Sequence, residues 1–168
     1  MAKRNGCKEW KHGIGSYSLL DRDQMTMMAV FEYMIGNTDW GLKTNQNNHN
    51  LRLIYSKKDS LSSPYAVPYD FDHSGLVNAT YATPNPDLGI ESVVQRAYRG
   101  FPRTMAELQT VFQVFNGQRE KIEALIDNFQ PLDSRNKKEM KSYLDRFYKC
   151  INKEKEVRSI FITNARRS

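Results

Sequence analysis

A mainly helical α+β domain is predicted by three features of this chain: a helix-spaced apolar run behind an Asp cap, two short strand-like runs around a polar turn, and a last third with helical periodicity. In order, Asp21 or Asp23 caps a helix to about residue 35, with Met27, Phe31, Met34 and Ile35 on one face and Gly36-Asn37 as its stop. Met25, Met27 and Met28 read as core filling. The runs 51–56 and 65–69 flank the polar turn 57–64 and predict a small β-hairpin that brings Asn50 beside Asp70. Residues 74–89, with Pro84-Asn85-Pro86-Asp87, read as a long turn-rich stretch, and 90–98 as a short helix. Thr104 and Glu107 form a capping box for a helix to about residue 115, carrying Leu108, Val111, Phe112 and Phe115. Gly117 breaks it before a second helix over about 119–129. Asp133 or Ser134 caps a third to about residue 152, lined by Tyr143, Phe147 and Ile151.

Composition bounds the function classes. The 168 residues suit one domain, 1–168, with an N-terminal basic segment over 1–20 and a basic tail over 153–168. The apolar fraction of 39% is ordinary, and no apolar run approaches the roughly 20 residues of a membrane span. Residues 2–12 are charged and show no signal-peptide pattern. Cys7 and Cys150 stand at opposite ends in no metal-ligand spacing, which reads as two free thiols in a reducing, cytoplasmic setting and excludes a zinc–thiolate site. Of the net charge of +6, residues 135–168 hold eleven Lys or Arg against four acids, whereas 13–134 hold ten against fourteen. The basic end interleaves Glu139, Asp145, Glu154 and Glu156, so a solvated helix face is favoured over a nucleic-acid contact.

Chemistry concentrates between residues 37 and 75. Asn37-Thr38-Asp39-Trp40, His49-Asn50 and Tyr69-Asp70-Phe71-Asp72-His73-Ser74-Gly75 place carboxylates, amides and imidazoles at strand ends and turns. Mg²⁺ and Mn²⁺ take hard oxygen donors and bridge to phosphate oxygens, which this set supplies. Asp39, Asn50 and Asp70 follow the order of a base, a metal-binding amide and a metal-binding carboxylate in phosphoryl transfer. Asp and Asn are also common turn residues, yet Asp70 and Asp72, two apart on a strand, repel unless a cation lies between them.

These residues, with Met34-Ile35-Gly36, Val67-Pro68 and Ser74-Gly75-Leu76-Val77, resemble a group of uncharacterised Bacteroides-type proteins, themselves distantly similar to the kinase-like superfamily of CotH and HipA. The resemblance implies a protein-kinase-like C-terminal lobe with the hairpin next to the site, Asp39 as the catalytic-loop base, Asn50 and Asp70 as ligands of Mg²⁺ or Mn²⁺ and ATP, and Asp72 as an auxiliary metal ligand. Two departures stand beside it. Asn50 follows Asp39 by eleven positions where such loops have about five, and Asn45, at six, competes for the amide role. Gly13-Ile14-Gly15 is the nearest thing to a glycine-rich loop before Asp39, so the chain is expected to be the C-terminal lobe of a longer kinase-like protein, with an N-terminal lobe still to be supplied. The phosphate acceptor is left open. Two other classes remain: a metal-dependent hydrolase using His49, Asp70, Asp72 and His73 around Zn²⁺ or Mn²⁺, and a non-catalytic interaction module using the basic tail.

Overall fold

The computed structural model describes residues 5–10, 16–42, 48–59 and 62–166. The elements are β1 (Cys7–Glu9), α1 (Arg22–Ile35), β2 (Leu51–Ser56), β3 (Tyr65–Pro68), α2 (Met105–Asn128), α3 (Ser134–Ile151) and α4 (Glu154–Val157), which runs into a π-helical turn, Arg158–Thr163. This is an α+β architecture, mainly helical, with one small antiparallel sheet of order β1-β2-β3.

The central element is α1. Asp21 accepts from the Gln24 amide at 2.8 Å to start it, and Gly36, at φ 68°, ends it in the left-handed conformation that favours glycine. Met25, Met28, Ala29, Val30, Tyr33, Met34 and Ile35 are all buried, so it is covered on most sides by α2, α3 and the sheet. The hairpin register pairs Leu51 with Pro68 and Leu53 with Ala66, so alternation sends Leu51, Leu53 and Ala66 into the core and Arg52 out. Gln24 clasps the outer edge of β3: its Oε1 accepts from the Ala66 amide at 2.9 Å and its Nε2 donates to the Ala66 carbonyl at 2.5 Å.

Four readings of the sequence change. The sheet has a third strand: Cys7, Lys8 and Glu9, within the basic segment 1–20, pair with Ser56, Tyr55 and Ile54. Three mostly exposed residues carry too little periodicity to show. The predicted break at Gly117 is absent, and α2 is one 24-residue helix, because a glycine inside a helix costs only about 1 kcal/mol and this one faces open space. Residues 90–98 form turns and extended backbone instead of a helix; the Ser92 hydroxyl and Gln95 side chain take backbone amides that a helix would use. Finally, the basic segment 153–168 is folded in as far as Arg166. Val157, Phe161 and Ala165 are buried, and the Phe161 ring lies 4.7–5.1 Å from those of Tyr98, Tyr33 and Phe112. Cys7 and Cys150 are both free.

Candidate functional site

Asp39 leaves the C-terminal end of α1 through a turn that its neighbours fix from below. The Asn37 amide donates to the Glu32 carbonyl at 2.9 Å, and the Asn37 side-chain Oδ1 accepts from the Asp39 amide at 3.0 Å. Thr38 and Trp40 are buried, and Arg99 donates to both of their carbonyls while lying 5.1 Å above the Trp40 ring. Trp40 therefore packs beneath the loop. Glu32 is 1% exposed, and burial pushes its carboxyl up to about 8, against the pull of the Asn37 amide and the Arg99 charge.

The eleven-residue spacing from Asp39 to Asn50 has a structural answer. Gly41 and His49 exchange two backbone hydrogen bonds of 2.9 Å, which sets His49 beside the start of the insert. His49 and Asn50 thus return directly to Asp39. His49 Nε2 lies 2.8 Å from Asp39 Oδ1, and Asn50 Nδ2 donates to the Asp39 carbonyl at 2.8 Å and to its Oδ2 at 3.1 Å. Asn45 lies outside the described residues.

Asp70 arrives from the other side of the hairpin. The Tyr69 amide donates to the Asn50 carbonyl at 3.1 Å, which sets Asn50 across the hairpin mouth from the residue before Asp70. Asn50 and Asp70 have φ of 51° and 63°, two of three non-glycine residues with positive φ among those described; Asn and Asp tolerate this conformation best. Asp70 and Asp72 do not lie on a strand as the sequence suggested, because β3 ends at Pro68; the left-handed turn at Asp70 still sets their side chains together. They share a hydrogen bond. That bond and the Asp72 charge raise the Asp70 carboxyl above its usual range. Asp72 moves the other way, since its partial burial is outweighed by the Tyr81 hydroxyl, the Asp70 bond and the nearby His73. Tyr81 Oη donates to Asp72 Oδ2 at 3.1 Å, and the His73 ring lies 5.8 Å from the Tyr81 ring.

Both loops are tied to one helix end. After Asp72, the Gly75 and Leu76 amides donate to the Gly36 and Ile35 carbonyls at 3.1 and 2.9 Å. Arg96 donates to the Tyr33, Met34 and Tyr143 carbonyls and stacks on Tyr143 at 3.6 Å. Arg96 thus holds carbonyls that the end of α1 leaves open, and Arg99 holds those of the loop beyond it.

Asp39, His49 and Asn50 come together, as do Asp70, Asp72, Tyr81 and His73. Of the hydrolase set, His49 lies on Asp39 and His73 beside Tyr81. Among the described residues no group of three or more His, Cys, Asp or Glu side chains is arranged to hold an ion. The donor set at the hairpin mouth is instead two carboxylates and an amide: Asn50 spends its nitrogen on Asp39, which leaves its oxygen as the donor end. Two touching carboxylates, one of them raised by the other, fit a hard divalent cation in chemistry. Glu32 and Tyr81 escaped sequence reasoning, whereas Arg96 and Arg99, open in the sequence to a phosphate or to helix-end salt bridges, bind backbone carbonyls. A lone Glu within Met-Ala-Val-Phe-Glu-Tyr-Met-Ile was the visible signal for the first.

No family model, curated protein or solved structure matches this chain.

Proposed function

We propose that this chain is the C-terminal lobe of a kinase-like phosphotransferase, with Asp39 as the base, and Asn50, Asp70 and Asp72 as the groups that hold Mg²⁺ or Mn²⁺ against the phosphates of ATP. One observation carries the reading. A single amide, Asn50, bonds both the carbonyl and the carboxylate of Asp39 while sitting at the mouth of the hairpin that leads to Asp70. A base must be aimed at a hydroxyl with little freedom, and the amide does that from one side while His49 does so from the other. The cation, when bound, neutralises charge on the transferring phosphoryl group. The chain's own part is to hold Asp39 oriented, and to keep the Asp70–Asp72 pair open to solvent.

The test combines metal binding and turnover. Mn²⁺ or Mg²⁺ raises the melting temperature of the wild-type chain, since a ligand of the folded state stabilises it by mass action, and Asp70→Asn abolishes the rise. Asp39→Ala keeps the rise but loses phosphoryl transfer by roughly 10² or more. Turnover by these 168 residues alone is weak, because no Gly-x-Gly-x-x-Gly precedes Asp39 to hold the triphosphate, and grows when such a segment is supplied. Unchanged metal-induced stabilisation in both Asp70→Asn and Asp72→Asn overturns the reading.

A further inference from the structure

We propose that the groove between α1, α2 and α3 is a docking site for an acidic amphipathic helix of a partner protein. The groove has a volume of about 400 Å³, and no charged side chain lines it. Its floor is recessed, with Met34, Ile35, Ile126 and Leu144 buried. Its walls stand in water: Val77, Val114 and Leu125 are exposed, Leu125 at 70%. At Leu76, Val77 and Met140 the groove opens into a second depression, where Val94 and Phe129 are exposed as well. Five large apolar side chains are thus held in solvent along one continuous face, the mark of a surface that another molecule covers. Phe71, between Asp70 and Asp72, lines the same groove and packs edge-on against Phe31 at 5.6 Å, so the bound helix lies behind the carboxylate pair.

The rim selects the occupant by charge. The second depression is lined by three cations, Arg135, Lys138 and Arg146, and by one acid, Glu139, which is spent on Arg135 at 2.9 Å. Arg146 lies against the Tyr143 ring at 5.1 Å, and neither it nor Lys138 has a carboxylate partner among the described residues. An apolar face edged by unpaired cations is complementary to one edged by Asp and Glu. A second copy of this chain, at net +6, would bring further Lys and Arg to that rim. A bilayer takes up side chains that protrude, whereas this floor is sunk between its walls. A small molecule has to be enclosed on most sides, and walls as exposed as Leu125 do not enclose one. A helix meets the shape. From Val114 to Ile126 the groove follows α2 for roughly 18 Å, about three turns, the length over which anchors at i, i+4, i+7 and i+11 are presented.

Peptide display on the 168-residue chain tests the proposal, and it uses neither metal nor turnover, so it stands apart from the phosphotransferase reading. The library holds helical peptides with Leu, Ile or Phe at i, i+4, i+7 and i+11, and with flanking positions randomised among Asp, Glu, Gln, Lys and Arg. Selected peptides carry Asp or Glu on one flank, and their affinity, read by fluorescence anisotropy, falls as salt is raised. Leu125→Asp, at an exposed position that leaves the circular dichroism unchanged, weakens binding at least about tenfold. The double substitution Lys138→Glu and Arg146→Glu does the same, and a peptide with Lys in place of its flanking Glu restores the loss. Four results overturn the proposal: no peptide enriched, enriched peptides with neutral or basic flanks, affinity unmoved in a folded Leu125→Asp, or a dimer in sedimentation that Leu125→Asp dissociates. Binding to anionic vesicles that Leu125→Asp abolishes, with no peptide selected, overturns it in favour of a membrane.

Discussion

The two acidic loops that meet at the hairpin mouth are built in opposite ways. The Asp39 loop is rooted in the core: Asn37, Thr38 and Trp40 are buried, two carbonyls are held by Arg99, and the carboxylate has two partners. The Asp70–Asp72 turn stands in solvent, and its carboxyls bind mainly each other and the exposed Tyr81. One loop spends buried polar groups to fix a direction. The other keeps like charges together that only a proton or a cation relieves. Rigidity and unmet electrostatic demand are thus separated onto two segments, tied to the same end of α1.

The largest expected break of this contrast comes from Glu32 and pH. Its folded-state carboxyl titrates at about 8 against an ordinary 4.5, so the folded protein keeps a proton that the unfolded chain releases. Stability is then full below about 4.5, falls as pH rises towards 8, and levels off above it. Denaturant titrations should show wild type losing roughly 3–5 kcal/mol relative to Glu32→Gln between pH 5 and 8. Parallel profiles would mean that the carboxyl is better solvated than its burial implies.

Arg99→Ala comes next, at about 2–4 kcal/mol, since it leaves the Thr38 and Trp40 carbonyls unpaired and uncovers the indole. Arg99→Lys should recover only part of this, because one ammonium does not reproduce the planar fork. On the open side the sign reverses. Asp70→Asn should leave the metal-free protein no less stable, because it removes a like charge from beside Asp72, and urea unfolding checks this directly. Tyr81→Phe is the smallest change: the Asp72 carboxyl should move up towards its usual range, read by side-chain NMR, with the melting temperature almost unmoved.

Much of the frame was legible because its signals are local. The Asp21 cap, the Gly36 stop, both hairpin strands, the Thr104–Glu107 box and the Asp133 cap each lie within a few residues of what they control. What was hidden depends on distant partners. Cys7–Glu9 becomes a strand only because β2 offers an edge, and Phe161 is core only because Tyr33, Tyr98 and Phe112 surround it, a fact masked by basic neighbours. The site divides likewise. Asp39, Asn50, Asp70 and Asp72 were visible by type and order, but the Gly41–His49 pairing that makes an eleven-residue gap short, and the Arg99 clamp sixty residues on, are tertiary.

The Gln24 clasp on Ala66 has a consequence for association. A strand on the rim of a sheet displays a row of open amides and carbonyls, a template on which another chain can add itself. In β3 both outward backbone groups of Ala66 are already taken by one side chain, so an incoming strand would find its hydrogen-bond ladder interrupted there. Gln24→Ala would restore that free edge, converting a soluble rim into a seam along which copies of the protein zip together.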